Sequence, residues 1–353
     1  MTKLHGRSAA SALIAAGLGM RMFWGLAVDY PLAMNASWIC PILGLLVFLP
    51  LGFAIEQASK TGSGSVWDNL TDNLPTFIVR PLEGILALLL MYDTAVNVRL
   101  LASSSNLIAL NDVTVHILIF PLALAICIVV LLGGDAAGHS ARIWLKILPL
   151  FLLILLIVQA KAYRIGWITP ILGGGTSSII QGSIYCAGCF ALASLTWIIA
   201  IPDRCKRGIL PYTCIPGLVV SALMVIQHMS FPAMINIPFT RAARIELVLS
   251  NGRMSLSPQL LLDILWFGGL LQLISAEAVT AAAFLYRCLK GAKRWIITTF
   301  LSFGITLAAI FNPAWLRESA KVMQLVFLFI GGLFVILLSC AKLRKEVNIS
   351  EKA

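Results

Sequence analysis

The stretch Gly17-Leu-Gly19-Met20-Arg21 interrupts the first apolar segment of the chain, which runs from Ser8 to Ala27. Two glycines and an arginine in the middle of a lipid-spanning helix are costly unless they face protein or water. In secondary transporters such a break exposes helix-end backbone groups, which hold a small solute near the membrane midplane. We therefore predict a helix break at this stretch and a solute site beside it.

The composition is that of a polytopic membrane protein. Of the 353 residues, 59 % are hydrophobic and 12 % are charged, against about 25 % charged residues in a soluble domain. The mean hydropathy is +0.94. The net charge of +11 comes without a basic stripe interleaved with aromatics, so no nucleic-acid partner is expected.

Ten apolar runs are long enough to span a bilayer, which requires roughly 20 residues. We predict an all-α protein with a single transmembrane domain over residues 1–353. The predicted spans are 8–27, 38–55, 76–107, 113–132, 140–160, 178–201, 210–227, 258–286, 295–311 and 322–341. Most Lys and Arg residues flank the same side of these spans, which places both termini in the cytoplasm by the positive-inside rule.

The sixth run is also interrupted by glycine, at Gly182 and Gly188. It follows the first run by five spans. Because this number is odd, the two runs cross the membrane in opposite directions, and the second half is inverted relative to the first. This spacing predicts an inverted five-plus-five repeat with broken helices 1 and 6. Repeat one covers about residues 8–160 and repeat two about 178–341.

Two charged residues of the first repeat lie within predicted spans. Arg21 either snorkels to the external surface, binds a carboxylate-bearing solute, or pairs with an internal acid. Asp93 shares a helical face with Asn97 and follows Tyr92. An aspartate at this depth should face the bundle interior, as a partner of Arg21 or Arg99, a proton carrier or a solute contact.

The eighth run places Asp263, Trp266 and Glu277 on nearly one helical face. Glu277 is either a proton-relay residue or the partner of a cytoplasmic arginine, and Trp266 either packs or covers the site. We expect the eight cysteines to be small packing residues, including the Cys186-Ala-Gly-Cys189 pair. The candidate ligand-binding residues are Gly17, Gly19, Met20, Arg21, Tyr92, Asp93, Asn97, Cys186, Gly188, Trp266 and Glu277.

No sequence motif indicates an enzyme. We find no nucleophile–histidine–acid set, no phosphate-binding glycine loop and no histidine pair spaced for a metal. We therefore expect neither catalysis, nor a cofactor, nor a metal.

Several segments between roughly Arg80 and Tyr286 resemble the spore germination permease family, the membrane-embedded B subunit of nutrient germination receptors. The similar segments are Asn97–Ala102, Gly138–Arg142 with Leu148-Pro149, Met229–Pro232 with Arg241 and Arg244, Ile264–Trp266, and Phe284–Tyr286. That family belongs to the amino acid–polyamine–organocation transporter superfamily. The segment Gly6–Ala10 and Arg21 depart from the family pattern.

The resemblance implies a protein of the inner spore membrane that senses an amino acid or similar nutrient. It would act with an A-type membrane subunit and a C-type lipoprotein subunit. Two alternatives stay open: a proton-coupled amino acid permease that uses Asp93 or Glu277, and a scaffold subunit that binds no ligand.

Overall fold

The computed structural model describes residues 7–24, 36–60, 66–71, 75–108, 114–159, 166, 175–200, 210–230 and 258–311, and the single residues 326, 329, 330 and 333. The multi-residue ranges hold ten α-helices. They are α1 (Arg7–Trp24), α2 (Cys40–Lys60), α3 (Val66–Thr71), α4 (Thr76–Ile108), α5 (Val115–Leu132), α6 (Gly134–Gln159), α7 (Gly175–Ala200), α8 (Leu210–Ser230), α9 (Pro258–Cys288) and α10 (Arg294–Phe311).

Nine of these helices coincide with the first nine predicted spans, and α3 is an additional short helix between the second and third. Six helices, α4, α5, α6, α7, α9 and α10, contain segments long and apolar enough to cross a membrane, and α2 and α8 hold shorter apolar segments. The tenth predicted span, 322–341, lies outside the described residues except for its four single positions. Arg241 and Arg244 also lie outside them.

The predicted breaks in the first and sixth spans are wrong for the described residues. The helix α1 is continuous through Gly17 and Gly19, and α7 is continuous through Gly182 and Gly188. Glycine within a helix costs only about 1 kcal/mol, and small residues let membrane helices approach closely. A Cβ atom at Gly17 would lie 3.4 Å from the Cβ of Ala276 in α9, so this glycine allows close helix packing.

The helices divide into an inner and an outer group. The apolar segments of α4, α7 and α9 are 72 %, 78 % and 83 % buried, whereas those of α5, α6 and α10 are 17 %, 18 % and 28 % buried. The outer helices expose large apolar side chains, such as Phe120, Leu150 and Phe303. Such a surface suits contact with lipid or with other apolar helices.

In their packing, helices α1, α2, α4 and α5 correspond in that order to α7, α8, α9 and α10. When each helix is replaced by its counterpart, nearly the same pairs of helices are in contact. The contact of α2 with α7 corresponds to that of α8 with α1, and α4–α10 corresponds to α9–α5. Each helix also packs against its own counterpart, most extensively α4 against α9. The main exception is α1, which packs along α9 while α7 has no comparable contact with α4 among the described residues.

Candidate functional site: a buried charge cluster

Three charged side chains meet in the interior of the bundle. The guanidinium of Arg21 in α1 donates two hydrogen bonds to the carboxylate of Asp93 in α4, from Nη1 to Oδ2 at 2.5 Å and from Nη2 to Oδ1 at 2.6 Å. The same Nη1 donates to Oε1 of Glu277 in α9 at 2.5 Å. One arginine thus joins three helices, and α4 and α9 are counterparts in the packing exchange.

Two further polar groups hold the cluster in place. Asn97 lies one turn after Asp93 on the same face of α4, and its Nδ2 donates to Oε2 of Glu277 at 2.8 Å. Tyr185 in α7 donates from its hydroxyl to the backbone carbonyl of Arg21 at 3.3 Å. Four helices therefore contribute to one hydrogen-bonded unit, which we call the charge cluster: Arg21, Asp93, Asn97, Tyr185 and Glu277.

The charge cluster is almost completely withdrawn from solvent. Arg21 is 5 % exposed, Asp93 0 % and Glu277 3 %. Buried charges are tolerated when they are paired and hydrogen-bonded, and the two parallel bonds from Arg21 to Asp93 use the geometry that arginine offers a carboxylate. Arg21 is the only cation among the buried residues that the structure describes.

The charges in the cluster do not balance. With both carboxylates ionised, one guanidinium faces two negative charges, which leaves one net negative charge. Asp93 Oδ2 and Glu277 Oε1 each lie 2.5 Å from the same nitrogen, so the two carboxylates are close neighbours. Two like charges at this range in a buried site repel each other, and the single guanidinium compensates only one of them.

The cluster shows which charged residues pair with one another. Arg21 does not snorkel; it pairs with internal acids. Asp93 pairs with Arg21 and not with Arg99, whose Nη1 lies 3.4 Å from Nδ1 of His116. Of the two roles predicted for Glu277, pairing with a cytoplasmic arginine is wrong, because Glu277 binds Arg21, and the proton-relay role stays a prediction.

The remaining candidate residues fall into two groups. Gly17 faces α9 at Ala276, the residue before Glu277, so it lies beside the charge cluster. Cys186 instead faces α2, since a Cβ atom at Gly44 in α2 would lie 2.5 Å from the Cβ of Cys186. Gly188 is two residues further along α7 and is buried. Cys186 and Cys189 are both buried, as expected of packing residues.

Gly19 faces α8, because a Cβ atom at Gly19 would lie closest to the Cβ of Pro216. Tyr92 is half-buried and packs against the main apolar core. Met20 and Trp266 lie within α1 and α9, but their side chains are outside the described part of the structure. Among the described residues, no group of three or more His, Cys, Asp or Glu side chains is arranged to hold a metal ion.

Two features of the site are not indicated by the sequence. The first is Tyr185, because an isolated tyrosine in an apolar helix carries no signal that its hydroxyl meets a carbonyl of another helix. The second is a hydroxyl pair, Thr196 in α7 and Thr280 in α9, whose Oγ1 atoms are 2.9 Å apart. Thr280 lies on α9 three residues after Glu277, a spacing that places the two on neighbouring positions of one face.

No family profile matches this chain, and no curated protein is significantly similar to it in sequence. Solved membrane transporters are similar in structure. MhsT in complex with L-phenylalanine aligns over 96 % of this chain and 89 % of its own, with a TM-score of 0.65 and 14 % identity.

A closed conformation of MHP1, a nucleobase-cation-symport-1 family transporter with bromovinylhydantoin bound, aligns over 91 % of this chain and 76 % of its own, with a TM-score of 0.57 and 12 % identity. A mutant manganese transporter of Eremococcus coleocola aligns over 94 % of this chain and 77 % of its own, with a TM-score of 0.56 and 14 % identity. The chain has the fold of these transporters. It is an integral membrane protein, and its similarity is to transporters and not to enzymes.

Proposed function

We propose that this protein senses a small, amino-acid-like nutrient at a site beside the charge cluster, as the membrane-embedded subunit of a spore germinant receptor. The transporter fold and the buried, unbalanced cluster support a solute site within the membrane. The resemblance to the germination permease family supports the receptor role. The same resemblance suggests an inner spore membrane location, with A-type and C-type partner subunits.

The observation that carries this proposal is the excess carboxylate of the cluster. The guanidinium of Arg21 is already bound by Asp93 and Glu277, so Arg21 is poorly placed to receive a solute carboxylate. The ammonium group of an amino acid would instead supply the missing positive charge. Of the candidate residues, we centre the site on Gly17, Arg21, Asp93, Asn97 and Glu277.

An inverted repeat would explain how binding alters the whole bundle. The exchange pattern of the helix packing supports such a repeat, and α4 and α9 occupy equivalent places in its two halves. A solute that inserts between Asp93 and Glu277 would change the contact of these two helices. Binding shifts a conformational equilibrium only when the two states have unequal affinity for the ligand, and contacts from both halves provide that inequality.

Ligand binding is tested by thermal stabilisation of the purified protein. Amino acids are compared with their deaminated acids and decarboxylated amines at equal concentration, because a ligand that binds only the folded protein raises the melting temperature by an amount that grows with the logarithm of its concentration relative to its Kd. We expect stabilisation by compounds that carry an ammonium group, and its loss in Glu277→Gln. Arg80→Ala removes an exposed charge from α4 and is the matched control that keeps the effect.

The receptor role is tested in spores of the encoding organism. Glu277→Gln should abolish the germination response to the stabilising compound at normal protein level, whereas Arg80→Ala should not. An unchanged dose response in Glu277→Gln would contradict the sensing role and favour a scaffold subunit that binds no ligand.

A second candidate, a proton-coupled amino acid permease, is favoured by the same charge count, because a proton also balances the second carboxylate. Proteoliposomes with an imposed pH gradient separate the two functions. Accumulation of a labelled amino acid that depends on the gradient and is lost in Glu277→Gln would establish transport. Binding without accumulation would favour the sensor.

A further inference from the structure

The short helix α3 places one aromatic side chain deep in the end of the bundle. Although α3 has only six residues and connects α2 to α4, its Trp67 is 0 % exposed. The indole Nε1 donates to Oε1 of Glu83 in α4 at 2.8 Å. The ring packs edge-on against Phe284 in α9, with centroids 5.1 Å apart and planes at 84°.

A neighbouring ion pair ties the same short helix to α9. Nη1 of Arg287 donates to Oδ1 of Asp68 at 2.5 Å, and the two side chains are 27 % and 41 % exposed. Water and salt reach such a pair, so it orients the helix more than it stabilises it. The helix α3 also packs against α2 and α7, and it therefore contacts helices from both halves of the bundle.

The Trp67 contacts lie on the same two helices as the charge cluster, but at a different level. Glu83 precedes Asp93 by ten residues in α4, and Phe284 follows Glu277 by seven residues in α9, so the two levels are about 10–15 Å apart along the helices. Between the levels, the apolar side chains of Leu86, Leu90 and Ala281 are buried. Among the described residues, these apolar side chains therefore separate the charge cluster from α3.

We infer that α3 is a latch that closes the bundle end formed by Glu83, Phe284 and Arg287, and that the solute path opens to that side only when Trp67 withdraws. A helix of six residues does not persist alone in water, so its position depends on the contacts of Trp67 and Asp68. The positive-inside pattern assigns this end to the cytoplasm. The latch holds whether the bundle senses or transports its solute.

The test uses a reporter thiol between the latch and the charge cluster. Ala281→Cys is introduced into a variant that lacks the eight native cysteines, and its modification by a membrane-impermeant maleimide is followed in inside-out vesicles. Loss of the aromatic contact and of the buried hydrogen bond in Trp67→Ala alone corresponds to a shift of about 5–30-fold toward the open state, and the lost burial of the indole adds to it. We expect the modification rate to rise by at least that factor.

Trp295→Ala is the matched control, because Trp295 is 61 % exposed on α10 and the same side chain is removed there without touching the latch. Trp67→Phe keeps the aromatic contact but not the bond to Glu83, and should give a smaller increase. Asp68→Arg or Arg287→Asp alone should raise the rate of maleimide modification. The two substitutions together reverse the ion pair and should restore the slow rate of the wild type.

The same variants are also labelled in right-side-out vesicles. A faster reaction from the cytoplasmic side alone supports the latch. Equal rates in Trp67→Ala and Trp295→Ala would overturn it, and so would a rise from both sides, which would make Trp67 a general structural anchor.

Discussion

Replacing Arg21 by methionine should strongly destabilise this protein, because it leaves two buried carboxylates without their cation. Arg21 donates three hydrogen bonds to Asp93 and Glu277, and its loss changes the charge of the cluster from minus one to minus two when both acids are ionised. Removing one partner of a buried ion pair costs about 3–5 kcal/mol. In a chain of this size, each kcal/mol of lost stability lowers the melting temperature by about 2 °C, so the loss corresponds to a fall of about 6–10 °C.

The charge count predicts an order among variants, which separates this mechanism from a simple loss of packing. Glu277→Gln makes the cluster neutral but leaves one acceptor oxygen for the two donors Arg21 and Asn97, so it should lose much less stability than Arg21→Met. Asp93→Asn weakens the two-bond contact to Arg21 and should fall between Glu277→Gln and Arg21→Met. The triple variant Arg21→Met, Asp93→Asn, Glu277→Gln should recover most of the loss, since no charge remains buried.

Melting temperatures of the detergent-purified variants, measured by size-exclusion chromatography after heating, check this order. Arg80→Met is the control, because an exposed arginine contributes less than about 1 kcal/mol. Arg21→Met within about 2 °C of the wild type, or a triple variant no more stable than Arg21→Met, would show that the acids are not held by this arginine.

Two smaller predictions concern contacts between helices that involve no charged side chain. Gly44→Ala should destabilise the protein by about 1–3 kcal/mol, because its Cβ would lie 2.8 Å from the carbonyl oxygen of Ser183 and 2.9 Å from the backbone nitrogen of Ala187, and backbone atoms cannot move aside. Gly19→Ala, whose Cβ would meet Pro216 at 3.7 Å, is its near-neutral control in the same melting assay. Thr196→Val should cost about 0.6–1 kcal/mol: Thr280 donates its hydroxyl proton to the carbonyl of Ala276, so Thr196 is the donor between the two. Equal melting temperatures for Gly44→Ala and Gly19→Ala, or for Thr196→Val and the wild type, would contradict these contacts.

The helices were largely predictable because each apolar run has the length that a bilayer requires. The run predicted as 76–107 is α4, Thr76–Ile108, and the run predicted as 295–311 is α10, Arg294–Phe311. The burial of Asp93 and Glu277 was also predictable, since an ionised group in lipid must face the bundle interior. These inferences need only local sequence and the properties of the membrane.

Glycines and partners were not predictable in the same way. In the sequence, Gly17 and Gly19 are equally consistent with a helix break and with close packing of two helices. Only their proximity to Ala276 and Pro216 in the structure distinguishes the two explanations. Trp67 lies between the predicted spans 38–55 and 76–107, and the local sequence does not indicate its partners, because Glu83 belongs to the next helix and Phe284 to a helix distant in the chain. Choosing partners for a buried charge requires the packing of helices, which periodicity does not contain.

The unbalanced cluster follows from a departure from symmetry between the two halves. The counterpart helices α4 and α9 each contribute one carboxylate, but only α1 contributes a cation, and its counterpart α7 contributes the neutral hydroxyl of Tyr185. One guanidinium therefore serves two equivalent acids, and it binds Asp93 through two nitrogens and Glu277 through one. The acid with the weaker hold on Arg21 is the one that can accept another positive charge with the least rearrangement. We therefore propose Glu277, and not Asp93, as the residue through which a proton or a solute ammonium would act on the bundle.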